Sequence, residues 1–126
     1  MSEKENKPTL VIGASENPER YSFKAVNLLK SYRHPVMALG KKVGMIGETT
    51  IQNEIKSFKN SQIDTVSLYL NPANQAKLYQ EIIDLKPKRV IFNPGTENPE
   101  FEELLDAAHI SYEEACTLVL LRTGQF

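Results

Sequence analysis

The residues best suited to handling a ligand form four short clusters. The first runs from Gly13 through Ala14, Ser15, Glu16, Asn17, Pro18 and Glu19 to Arg20. Its small residues let backbone amides and the Ser15 hydroxyl approach a phosphate, and Arg20 adds a guanidinium. An ordinary strand-to-helix turn that needs one glycine would look the same. Of the three glycines of the dinucleotide fingerprint only Gly13 is present, with Ser15 and Pro18 in the other two places, which disfavours an NAD site. The second cluster is Gly40-Lys41-Lys42. An NAD site carries an acid there for the ribose hydroxyls. Two ammonium groups suit a phosphorylated ribose instead, as in the 3′-phospho-ADP of coenzyme A or in NADP, unless both are simply solvated. The third and fourth clusters, Asn71-Pro72 and Asn93-Pro94-Gly95-Thr96-Glu97-Asn98, can present amides to a neutral, hydrogen-bonding chain, although Asn before Pro also caps helices.

Groups of higher reactivity are sparse. His34 precedes a proline in a turn and His109 closes a helix, and neither has an acid or nucleophile placed near it in the sequence; both read as surface residues. Cys116 lies in an apolar run, where it reads as a small buried hydrophobe or as a thiol facing the thiol of a ligand, with no base to activate it. No catalytic residue and no metal ligand is assigned. As the single cysteine, it excludes an internal disulfide or a cysteine-based zinc cluster.

Alternating elements place these clusters. Thr9–Ile12 is a short β-type run, followed by a helical pattern with Ala25, Leu28, Leu29 and Tyr32 on one face, and then by a second strand, Pro35–Leu39. Such a unit implies parallel strands with helices on both sheet faces. Residues 43–62 are hard to read, with Gly44 and Gly47 interrupting the pattern before a short strand near Thr49–Ile51 and a short helix near Glu54–Phe58. A strand from Asp64 to Leu70 leads into a helix opened by Asn71-Pro72, cored by Leu78, Ile82 and Leu85 and ended by Pro87. Arg89–Phe92 is a further buried-type strand, Phe101, Leu104, Leu105 and Ala108 give the next helix its inner face, and Ile110–Tyr112 adds a last strand. The alternation predicts an α/β fold: a Rossmann-like, doubly wound, mainly parallel sheet flanked by helices in three α/β/α layers. Ligands of such sheets lie beyond the carboxyl ends of the strands, where all four clusters fall.

Size and charge narrow the partners. The chain has 126 residues, with 15 basic and 16 acidic side chains and a formal net charge of -1. That balance gives no electrostatic footprint for nucleic acid or an anionic membrane, so a small or neutral partner fits better; with the lysines of the second cluster, a small-molecule nucleotide ligand is expected. The charged N-terminus has no apolar core, and no apolar run approaches the roughly 20 residues of a membrane span, so a cytoplasmic protein is expected. Residues 1–7 are expected to be a disordered head and residues 8–126 one domain. The apolar stretch Leu118–Leu121 belongs either to the core or to a possible homodimer contact.

Several of these segments together resemble a known family. Gly13–Ser22, Lys24–Leu29, Leu68–Pro72, Pro87–Asn98 and Ala115–Leu121 are similar to the stand-alone CoA-binding domains, themselves similar to the N-terminal CoA-binding domain of the succinyl-CoA synthetase α subunit. The resemblance implies coenzyme A or an acyl-CoA lying across the strand ends. It implies that Gly13, Ala14 and Ser15 hold phosphate, that Lys41 or Lys42 meets the nucleotide end, that Tyr69, Leu70, Asn71 and Pro72 line the adenine side, and that Asn93, Pro94 and Gly95 lie toward the pantetheine. Members of the family commonly have Asn-Pro before the lysine, whereas this chain has Leu39-Gly40, which leaves the choice between the two lysines open. Acyl-CoA ligase activity needs a phosphohistidine domain and a nucleotide-grasping subunit, which 126 residues are not expected to contain. A non-catalytic CoA module, acting as sensor or accessory unit, is the leading expectation. An NADP-dependent enzyme subunit and an interaction module with a decayed nucleotide site are the alternatives.

Overall fold

Thr9–Ile12 (β1) is inaccessible along its whole length, as expected of a short apolar run covered on both faces. In the computed structural model, which describes residues 6–126, it sits at the centre of a seven-stranded sheet. The other strands are Val36–Leu39 (β2), Gly44–Ile46 (β3), Thr49–Gln52 (β4), Thr65–Leu68 (β5), Arg89–Phe92 (β6) and Ser111–Glu114 (β7). Their order is β3-β4-β2-β1-β5-β6-β7. All neighbours are parallel except β3, which pairs antiparallel with β4. The chain builds outward from β1 first to one side and then, from β5, to the other, so the strand order reverses between β1 and β5. The expected Rossmann-like α/β architecture is the one observed.

Helices cover both faces. On one, Leu10, Ile12, Val66, Leu68, Val90 and Phe92 meet Ile82 of helix Tyr79–Asp84 (α3, labelled after Tyr21–Ser31, α1, and Pro72–Gln75, α2) and Phe101 and Leu105 of Pro99–Ala107 (α4). Phe101 is fully buried, stacked on Tyr79 at 4.5 Å between ring centroids and edge-on to Phe92 at 5.8 Å. Burial of such a side chain contributes roughly 2–3 kcal/mol. On the other face, Val11, Ala38 and Ile51 pack on Val26 and Leu29 of α1 and on Leu121 of Thr117–Arg122 (α5).

Some local details differ from the sequence reading or complete it. The strand β3 went unread because it is three residues long and begins with a glycine, so no apolar alternation marks it. The expected helix after β5 is broken into α2, a 3-10 turn at Ala76–Leu78 and α3, a reset that draws the polar Gln75 fully inside. Tyr32 and Leu104 are exposed rather than in the core. In α1 the inward position is taken by Val26, and Tyr32 lies beyond the last helical residue. Of Leu118–Leu121, only Val119 faces out, so the stretch belongs mainly to the core.

Residues 1–5 of the expected head lie outside the described residues. Lys7 is anchored: its backbone N–H donates to His34 Nδ1 at 3.0 Å and its Nζ to the main-chain oxygen of Phe126 at 2.6 Å. His34, also 4.9 Å from the Phe126 ring between centroids, is therefore integrated in the fold rather than a plain surface residue. His109 is exposed, at φ +60°. None of the described helices is long and apolar enough to cross a membrane.

Candidate functional site

The reversal of strand order opens a cleft between the loops after β1 and β5, the position at which doubly wound sheets take ligands. A groove of about 1000 Å³ occupies it, at the upper end of the range for small-molecule sites, about 300–1000 Å³.

One wall is formed by the loop after β1. Gly13 adopts φ +96°, and a Cβ there would stand about 3.0 Å from the Tyr69 backbone, so a glycine is required where the chain turns against β5. The Gly13 and Ala14 N–H groups both donate to the Leu39 carbonyl at 2.9 Å. They fasten the loop to β2 and are not the free phosphate-binding amides expected of them, although both residues line the groove. Ser15 also lines it, with its Oγ accepting from Asn17 N–H at 3.0 Å. The anion-binding potential of this wall lies one step further on. Helix α1 starts at the groove without a side-chain cap and without an acid in its first turn, and Tyr21 and Ser22 line the hollow. Uncapped first-turn amides attract anions.

Charge is concentrated on this side. Arg20, Lys41 and Lys42 all line the groove and are exposed. Among the described residues none of the three side chains has an ion-pair or hydrogen-bond partner. Glu16 and Glu19 line it as well. These two, with Asn17 and Thr96, fall within the expected clusters but were given no role there, whereas Tyr21, Ser22 and Asn74 were missed; the helix start at Tyr21 was the signal that could have added Tyr21 and Ser22.

The opposite wall comes from the loops after β5 and β6. Tyr69, Leu70 and Asn71 line it together with Pro94 and Gly95, as expected, whereas Pro72 and Asn93 do not. Asn93 is 1% exposed. Its Nδ2 donates to Ser67 Oγ and to the Leu68 carbonyl, both at 2.9 Å, and its Oδ1 accepts from Thr117 N–H at 2.8 Å. Every polar atom of the amide is thus committed to joining β5, β6 and α5, and nothing is left for a ligand. Asn71 caps α2 through its side chain, and the Gly95 N–H donates to Glu97 Oε1 at 2.9 Å.

A second buried amide closes the wall. Gln75, fully inaccessible, donates through Nε2 to the Leu70 and Thr96 carbonyls, each at 2.8 Å, and accepts from Asn98 Nδ2 at 2.9 Å. It thereby welds the β5 loop to the β6 loop. Tyr69 turns its phenol inward beside the Ser67 and Thr117 hydroxyls, with neither in good hydrogen-bond geometry. Burial, above all, pushes that phenol up to about 12, with the Cys116 thiol adding to the effect and the two hydroxyls opposing it. Cys116 itself is half-buried at the start of α5 and is not among the residues lining the groove. A smaller hollow of about 320 Å³, bordered by Lys7, His34 and Phe126, lies at the opposite, amino-terminal end of the strands.

Comparison with known proteins agrees with this arrangement. The chain is similar to a crystal structure known only as that of an uncharacterized protein, at 44% identity and a TM-score of 0.90, covering 98% of this chain and all of the other. A protein from Thermus thermophilus matches with a TM-score of 0.85 at 21% identity, over 96% of this chain and 91% of its own. A hypothetical protein from Pyrococcus horikoshii OT3 matches with a TM-score of 0.80 at 21% identity, over 93% and 83%; at that identity the two likenesses speak to fold alone. No curated protein matches the chain significantly. The model of the CoA binding domain family matches residues 7–122, and with this coverage the chain belongs to the family of stand-alone CoA-binding domains.

Proposed function

We propose that the groove binds coenzyme A or an acyl-CoA, and that residues 8–126 act as one non-catalytic module, a sensor or an accessory unit. The phosphates would lie over the Arg20, Lys41 and Lys42 side near the start of α1, the adenine toward Tyr69–Asn71 and the pantetheine toward Pro94–Gly95. The observation that carries this reading is the long groove at the strand switch with three unpartnered cations on one side. Charge-assisted bonds from such groups suit the several phosphates of CoA. The NADP alternative is disfavoured by the glycine motif, of which only Gly13 is present, with Ser15 and Pro18 in the other two places.

Thermal unfolding of the purified protein with CoA, acetyl-CoA, NADP, NAD and ADP tests the reading. A ligand at a hundred times its Kd adds about 2.7 kcal/mol, which raises the midpoint of a domain of this size by several degrees. Selective stabilisation by CoA or acetyl-CoA is expected. A larger shift with NADP, or none with any of the five, would overturn the proposal.

A further inference from the structure

Lys41 and Lys42 belong to a bend with no regular structure, immediately before β3. Since neither ammonium group is held, their reach into the groove depends on where the backbone beneath them is fixed. One end is fixed by the pairing of β2. The other is fixed by the antiparallel pairing of β3 with β4, Gly44 lying opposite Ile51, and is tied to the loop after β1 by one contact: Glu16 Oε2 accepts the Met45 N–H at 2.8 Å. The intervening Gly44 makes this possible. A Cβ at that position would stand 2.5 Å from Glu16 Cδ and 2.6 Å from its Oε2, so any side chain would displace the carboxylate. From the helix side, Lys30 Nζ donates to the Ile46 carbonyl at 3.1 Å and to Thr49 Oγ1 at 3.0 Å, so β3 keeps its place in the sheet without Glu16.

We propose that Glu16 is a positioning residue: by gripping the Met45 amide over Gly44 it holds Lys41 and Lys42 against the first loop and makes the groove favour ligands with a phosphate on the ribose. This rests on the CoA reading and adds to it the source of selectivity. The carboxylate works against its own charge, since a negative group at the groove repels an anionic ligand. Grip and charge therefore separate by substitution. Glu16→Gln keeps an acceptor and removes the charge; Glu16→Ala removes both; Gly44→Ala leaves Glu16 intact and breaks the grip alone.

Calorimetric titration of the full chain with CoA and with dephospho-CoA, which lacks the ribose phosphate, provides the test. The wild type is expected to prefer CoA. That preference should fall roughly three- to tenfold in Gly44→Ala and in Glu16→Ala, the loss of a few exposed charge-assisted contacts, with affinity for dephospho-CoA little changed. The Glu16→Ala/Gly44→Ala double variant should fall no further, because both changes break one contact, and Glu16→Gln should keep the preference. In the ligand-free protein, hydrogen exchange at the Met45 amide should quicken in both single variants. An unchanged preference in the two single variants, additive losses in the double variant, or equal wild-type affinity for the two probes would overturn the inference and leave the CoA reading standing. A wild type that binds neither probe would overturn both.

Discussion

The two walls of the groove carry different polar groups, amides on one and cations on the other, and hold them in opposite ways. On the β5/β6 side, Asn93, Gln75 and Asn98 are buried and turn their amides into the protein, where they stitch strands and loops together. On the β1/β2 side, Arg20, Lys41 and Lys42 stand exposed with no internal partner, and the helix start behind them is uncapped. A buried polar group without a partner costs about 1–3 kcal/mol, so buried amides are committed to the fold. Exposed charges carry no such obligation and remain available to a ligand. One wall is therefore scaffold presenting backbone, and the other is the one on which we propose phosphate recognition.

If that division is right, substitutions on the scaffold wall should change stability and those on the charged wall affinity. The largest effect is expected from Asn93→Leu, which strands the Thr117 N–H and the Leu68 carbonyl, and from Gln75→Leu, which strands the Leu70 and Thr96 carbonyls. Each should cost about 3 kcal/mol and lower the unfolding midpoint by roughly 10 °C or more, measured by calorimetry. CoA affinity, measured well below that midpoint, should stay within about threefold of wild type if backbone alone meets the ligand there. A large loss of affinity with little loss of stability would break the division.

A smaller, pH-dependent effect belongs to the helix behind the scaffold wall. Burial raises the Glu102 carboxyl of α4 to about 7 from an ordinary value of 4.5, reinforced by Glu114, Asp106 and Glu97. With the folded value above the unfolded one, the native state binds more protons between them, so this group's contribution to stability is full at low pH and is lost as pH rises through about 7. Glu102→Gln should therefore flatten the fall in unfolding midpoint between pH 5 and 8 and raise the midpoint at pH 8. An identical pH profile in both proteins would contradict this assignment.

The division also marks what a sequence can and cannot reveal. Strands β1, β2, β5 and β6 were legible because apolar runs buried on both faces admit few other readings, and Asn71-Pro72 and Asn98-Pro99 announced helix starts that the structure confirms. The loops of the groove were legible as a set, since strand-end position follows from the alternation. Direction was not legible. Asn93 looks like a ligand donor in a loop beside Pro94 and Gly95, and only the placement of α5 over β5 and β6 turns it inward. Gln75 was hidden for the same reason, as a polar residue within a helical pattern. Tyr21 escaped because an exposed aromatic at a helix start has no periodic partner to explain it. The contact that ties the edge strand β3 to the first loop comes from Glu16, 29 residues away from Met45, and no local pattern encodes it.

The most direct measurement is a calorimetric titration of CoA into the wild type and into Lys41→Glu/Lys42→Glu, at low and moderate salt. One CoA per chain is expected for the wild type, with affinity that weakens as salt screens the cations. In the double variant affinity should fall at least about tenfold, since each reversed charge removes an attraction and adds a repulsion, while the unfolding midpoint stays unchanged. Equal affinity in the two proteins would contradict the placement of the phosphates on the charged wall.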